Sequence, residues 1–122
     1  MLILDANAVL RFLLKDDQKL ALMVKDAICS ENSLIPVEVM AEVIFVLQKV
    51  YKLERKLIAE KISFLHDIKT NLLSESELVM YAVKTYAATK LDFVDCLLAG
   101  YARIKHCSIL TFDKDLKKLL VK

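Results

Sequence analysis

Apolar residues fall along this chain in short runs parted by charged or turn-forming positions. Residues 1–4 form an unbroken apolar run closed by Asp5, the pattern of a strand buried on both faces of a parallel sheet. A helical turn or two follows over 7–15, with Val9, Leu10, Leu13 and Leu14 apolar. Asp17 is placed to cap a second helix reaching Ser30, with Leu20, Met23, Val24, Ala27 and Ile28 along one face. Residues 33–35 read as a brief strand, and Pro36 stands where proline suits a helix start. The helix it opens, 37–51, is almost wholly apolar. Residues 53–69 are amphipathic, with Leu57, Ile58, Ile62 and Leu65 inward and Lys56, Glu60 and Lys61 outward. A third strand is expected over 71–73. Ser74 and Glu77 have the spacing of a capping box for a helix ending near Thr89. Asp92 and Asp95 open another helix to about Lys105. Residues 107–112 read as a β-rich strand ending at Asp113, and a short basic helix follows.

Strands alternating with helices, without a hairpin signal, predict an α/β fold, one domain over residues 1–122 built around a parallel sheet. Composition adds a second inference. The apolar fraction is 57% with one Gly and one Pro, so there is little room for linkers, and the excess apolar surface implies a partner. No run approaches the roughly 18 apolar residues of a membrane span. The start of the chain carries no basic leader, so a cytoplasmic protein is expected. Cys29, Cys96 and Cys107 are odd in number with no C-x-x-C spacing, and each is read as a small core residue.

Absences narrow the chemistry. Gly100 is the only glycine and sits inside a helical pattern, which excludes a P-loop or dinucleotide fingerprint. His66 and His106 lie near no Ser or Cys in a triad-like motif and read as surface or helix-end residues. Four acids stand out against apolar surroundings. Asp5 and Asp113 each end an expected strand, where ligands of open α/β sheets collect. Asp95 lies in the first turn of an apolar helix. Glu42 is flanked by Val39, Met40 and Ala41 before it and Val43, Ile44 and Phe45 after it, so burial would be costly unless it met a cation. Each also has a plain structural explanation: Asp5 in an Asx turn with Asn7, Asp92 and Asp95 at a helix start, Asp113 or Asp115 as a cap, Glu42 facing water beside Glu38. Jointly, four acids at the strand C-terminal edge suit Mg²⁺ or Mn²⁺, a hard cation that takes oxygen ligands. Net charge is +2, but with four of the sixteen acids held by metal the other twelve leave +6 against eighteen basic residues. That balance suits a phosphate backbone.

Four blocks in this order resemble the PIN-domain nucleases, most closely the small toxins of VapBC-type toxin–antitoxin modules. They are Leu4-Asp5-Ala6-Asn7, the run Val39 to Leu47 around Glu42, Asp92-Phe93-Val94-Asp95-Cys96-Leu97-Leu98-Ala99, and Leu110-Thr111-Phe112-Asp113. The resemblance spans nearly the whole chain. It implies a PIN-like three-layer sandwich with a central parallel β-sheet flanked by helices. It places metal-binding, catalytic acids at Asp5, Glu42, Asp95 and Asp113, with Asn7 and Thr111 as accessory polar positions. Asp92 matches a further acid of the same block, though a capping role is expected for it here. Cys96 stands where the family usually has Ala. The implied activity is Mg²⁺-dependent endonucleolytic cleavage of RNA, in a dimer inhibited by a cognate antitoxin. Lys49, Lys52, Arg55 and Lys56 offer an RNA path, or simply a solvated helix junction.

Two rival readings remain. One is a non-catalytic RNA- or protein-binding module on the same fold. The other is a metal-dependent phosphatase or phospho-receiver, which also places Asp at strand ends. A dehalogenase-type phosphatase wants a second Asp at position 7, where this chain has Asn7, and a receiver wants an acceptor Asp on the third strand and a late Lys after a strand.

Overall fold

A short apolar run with an Asp behind it does make a strand here, but a minimal one. In the computed structural model, which describes residues 1–30 and 32–121, strand β1 covers Leu2–Ile3 and pairs in parallel with β2, Ser33–Leu34. Leu2 lies opposite Ser33 and Ile3 opposite Leu34. The Leu4 N–H extends the pairing by donating to the Leu34 carbonyl at 3.0 Å. The expected third strand contracts to one parallel bridge between Ile35 and Leu73.

Helices supply most of the structure. They are α1 (Ala6–Leu14), α2 (Gln18–Ser30), α3 (Val37–Lys49), α4 (Arg55–Ile68), α5 (Ser76–Ala88), α6 (Phe93–Ile104) and α7 (Lys114–Val121). Each middle helix buries a stripe at helical spacing. Met40, Val43, Ile44 and Leu47 of α3 meet Ile58, Ile62 and Leu65 of α4, together with Leu78, Val79, Ala82 and Val83 of α5, in one core. Burying each large aliphatic side chain contributes about 1.5–3 kcal/mol relative to leaving it in water. The stripe also explains how a helix as apolar as α3 resolves its faces. With 40, 43, 44 and 47 turned inward, Glu38, Glu42, Phe45 and Lys49 fall along the outer side, and all four are exposed. Glu42 is therefore solvated rather than buried.

Local capping mostly follows the residue types. Asp17 Oδ1 accepts the Leu20 N–H at 3.0 Å and opens α2. Pro36 occupies the N-cap of α3. The capping box expected at Ser74 and Glu77 does not form, because the Ser74 N–H is donated to the Ile35 carbonyl in the sheet bridge at 3.0 Å. Helix α5 starts after Glu75, which adopts a left-handed conformation at φ 50° and pairs with Lys105 at 2.8 Å.

Three further expectations need correction. Residues 107–112 pair with no strand among the described residues: Leu110 is 89% and Phe112 85% exposed. β-propensity favours an extended backbone, but a strand also needs an edge to bond to. The sheet is accordingly small and the chain mostly helical. Helix α2 buries Ala21 and Ile28 while Leu20, Leu22 and Met23 are exposed, so its inner face is rotated from the expected one. Of the cysteines only Cys96 is buried; Cys29 and Cys107 are exposed, and all three thiols are free. Among the described residues no helix is long and apolar enough to cross a membrane.

The single glycine marks a close approach between α5 and α6. A Cβ at Gly100 of α6 would lie 2.7 Å from Leu78 Cδ1 and 3.3 Å from Tyr81 Cδ1, both on α5. Gly100→Ala gains roughly 0.5–1 kcal/mol of helix propensity but overpacks this contact by about 1–3 kcal/mol. Urea denaturation should show a net loss of about 1–2 kcal/mol; a stabilised variant would mean the two helices separate without cost.

Candidate active site

The site is organised from the turn between α5 and α6. Arg55, in the first turn of α4, reaches across to that turn. Its Nη1 donates to the carbonyls of Tyr86 at 3.1 Å and Leu91 at 2.7 Å, and its Nη2 donates to Lys90 O at 3.0 Å. The guanidinium carbon lies 4.2 Å from the centre of the Tyr86 ring. Three carbonyls at the end of a helix want donors, and a planar fork with an apolar face satisfies them while stacking. The Thr89 hydroxyl adds a second tie, donating to Thr85 O at 2.9 Å and accepting the Leu91 N–H at 3.3 Å. Arg55 is thus spent on structure and leaves the expected basic path to Lys49, Lys52 and Lys56, all exposed.

This turn delivers Asp92 and Asp95 to the start of α6. Asp92 occupies the N-cap but makes no side-chain capping bond, so only the position of its expected role is realised. Asp95 is half-buried in the first turn. Its carboxyl is raised above the ordinary value, first by burial and then by the charges of Asp113 and Asp92. Asp113 begins α7, where its Oδ1 accepts the Leu116 N–H at 2.8 Å and its own N–H donates to Thr111 Oγ1 at 3.1 Å. Thr111 therefore ties down the backbone of Asp113.

Asp5 caps α1 by accepting the Ala8 N–H at 2.8 Å. Asn7 is exposed in the first turn of that helix, and Glu42 faces solvent on α3. Asp95 thus stands in electrostatic contact with Asp113 and Asp92. Among the described residues no three acidic, His or Cys side chains converge closely enough to hold a metal, so the four acids are not gathered into one shell in this structure. Residues 107–112 are not paired with a strand among the described residues, and Asp113 is positioned by its own cap rather than by a sheet edge. The donor set itself fits a hard divalent cation. All donors are carboxylate oxygens, and the charges of Asp113 and Asp92 that, after burial, raise Asp95 are what a cation would offset.

Sequence reasoning missed a groove beside these acids. It occupies about 290 Å³ between α3 and α6 and is lined by Phe45, Gln48, Lys49, Tyr86, Val94 and Asp95 among others. The legible signal was Phe45, an aromatic residue three positions after Glu42 on the outer stripe of α3. Nothing in the local pattern marked Tyr86. Cys96, below the same helix start, is buried, and burial pushes its thiol up to about 11, which makes it an unreactive packing group.

The sign of the Asp95 shift sets a test. Its folded pKa is raised above the ordinary 3.8, so the folded state binds more protons than the unfolded state between those two values. Stability should decline as pH rises through that interval and stay flat above it. Asp95→Asn should remove the decline and be the more stable protein near neutrality. Urea melts of both proteins across mildly acidic pH check this; parallel curves would show that neither burial nor its acidic neighbours raise Asp95.

The PIN domain family matches residues 2–120 of the chain. Domains of this family are generally nucleases and typically use divalent metals. Neither the curated proteins nor the solved structures contain a significant match. Because the match covers nearly all of the 122 residues, the chain belongs to the PIN-domain family.

Proposed function

We propose that the protein is a divalent-metal-dependent endoribonuclease, the toxin of a VapBC-type toxin–antitoxin pair. The observation that carries the reading is the PIN-domain match over residues 2–120, and the start of α6 agrees with it: Asp95 is half-buried there, its carboxyl raised first by burial and then by the charges of Asp113 and Asp92. Like charges held together beside a helix N-terminus cost stability without a cation, so their arrangement favours a metal-binding role. Asp5, Glu42, Asp95 and Asp113 would hold Mg²⁺ or Mn²⁺, which when bound lowers the pKa of an attacking water and stabilises charge on the phosphate. Asp5 and Asp113 each commit one oxygen to a cap, leaving the other free. Thr111 fixes the backbone of Asp113, and Asn7 stands two residues beyond Asp5 to orient it or the water. Lys49 and Lys52 meet the RNA backbone.

The finer fold belongs to this reading too. Strand β1 is bonded on one edge only among the described residues. Residues 107–112, strand-forming in composition, would complete the three-layer sandwich by pairing along the other edge. The exposed apolar residues Leu20, Leu22 and Met23 of α2 and Leu57, Phe64 and Ile68 of α4 suit a homodimer or a cognate antitoxin. A cytoplasmic location is consistent with such a role.

One observation favours the alternative of a non-catalytic RNA- or protein-binding module: the acids do not converge in this structure. A cleavage assay separates the two. The purified protein should cut RNA with Mg²⁺ or Mn²⁺ and stop with EDTA. Asp95→Asn, prepared identically to exclude a contaminating nuclease, should lose at least about a hundredfold in rate. Glu42→Gln should lose activity and Glu38→Gln, one turn earlier, should retain it. No cleavage by the wild type would leave the binding module as the better account, and metal-independent cleavage would remove the carboxylate–metal mechanism.

A further inference from the structure

The groove between α3 and α6 holds an anomaly that the metal site does not explain. Tyr86 is 1% exposed, lines the groove, and its hydroxyl is buried with no hydrogen-bond partner. A buried hydroxyl left unpaired is expensive, and native structures rarely keep one without a ligand or water to meet it. The ring is not free to turn the hydroxyl away. Arg55 covers one face at 4.2 Å, and Phe93 packs edge-on with centroids 6.1 Å apart and an interplanar angle of 79°.

The surroundings define what fits. Phe45 is 60% exposed, an unusual state for a phenyl ring on a helix that otherwise buries its large residues, and it offers a flat apolar face. The Gln48 amide can donate and accept, as can the Tyr86 hydroxyl. Asp92 and Asp95 line one part of the same groove, so an anionic group inside would be repelled. Lys49, a cation, also borders it. A flat, uncharged ring with a polar edge, attached to an anion held outside beside Lys49, satisfies all of these.

We propose that this groove is a nucleobase subsite: the base of a nucleotide flanking the scissile phosphate stacks on Phe45 and places its polar edge against Tyr86 Oη and the Gln48 amide. This deepens the ribonuclease reading and rests on it for the position of the scissile phosphate. Phe45, Gln48 and Tyr86 then set which base precedes or follows the cut, while the carboxylates perform the hydrolysis. Stacking is sequence-tolerant, so discrimination between bases falls to the two hydrogen-bonding groups.

The test uses the ¹⁵N-labelled full chain in EDTA, where hydrolysis is silent, titrated with AMP, GMP, CMP, UMP and, as a probe lacking a base, ribose 5-phosphate. At least one nucleotide should shift the Gln48 side-chain amide and the Lys49 and Val94 backbone amides in a saturable way, and ribose 5-phosphate should not. Phe45→Ala should weaken that nucleotide by about tenfold or more, the scale of a lost base–aromatic stack. Tyr86→Phe should weaken it severalfold with an otherwise unchanged amide spectrum, and should relax base preference in RNA cleavage. Equal shifts with ribose 5-phosphate, shifts confined to other surfaces, or full affinity in both variants would overturn the subsite. The two readings fail separately. Nucleotide binding in a protein that cuts no RNA with Mg²⁺ keeps the subsite and removes the nuclease. Cleavage without nucleotide binding in the groove does the reverse.

Discussion

The Arg55 guanidinium, lodged against the carbonyls of Tyr86, Lys90 and Leu91, is the contact on which the functional end of this fold depends. It joins the first turn of α4 to the exit of α5, and that exit sets where α6 begins. Asp92 and Asp95 take their positions from the start of α6, and the groove takes one wall from the same residues. A lysine could not substitute, since one ammonium lacks both the fork and the flat face that lies over Tyr86. Three charge-assisted hydrogen bonds and a stacked ring make the turn stiff.

Against that fixed point, the acids live with two competing demands. Asp5 and Asp113 are helix caps, each occupied with an amide 2.8 Å away. Capping orients a carboxylate and uses only part of it, so it is compatible with a second duty to a cation. Asp95 has no such partner, and its proton affinity is raised by burial and by its acidic neighbours. The same charge arrangement that weakens the apo fold would strengthen metal binding. Residues 107–112 connect the two demands. Asp113 is placed by its cap on α7 and by Thr111, whereas pairing of residues 107–112 with β1 would tie it to the strand just before Asp5.

Much of this was legible along the chain. The inward stripes of α3 and α4 follow from helical periodicity, and Asp17 and Pro36 open their helices by local chemistry that requires no knowledge of the rest. The parallel pairing of residues 2–3 with 33–34 also follows from strands separated by helices. The failures were non-local. Ser74 was drawn into a sheet bridge and could not cap. Residues 107–112 have strand composition but no edge, and composition cannot show the edge. The apolar sequence neighbours of Glu42 left its burial open, and the structure decides for solvent because a helix surrounds each residue with neighbours three and four away rather than adjacent ones. Arg55 looked like part of a basic surface run, and only its distant carbonyl partners reveal its role. Order and motif single out the four candidate acids, and their spatial relation is what a sequence cannot supply.

The central claim is that Asp5, Glu42, Asp95 and Asp113 share one metal site. Paramagnetic relaxation by Mn²⁺ tests it directly, because broadening falls steeply with distance from the ion. Substoichiometric Mn²⁺ added to the ¹⁵N-labelled chain should selectively broaden the amides at and beside all four residues, and Mg²⁺ should restore them by competition. Broadening confined to the neighbourhood of Asp92 and Asp95, or scattered over exposed acids without Mg²⁺ competition, would contradict a four-carboxylate site and the mechanism built on it.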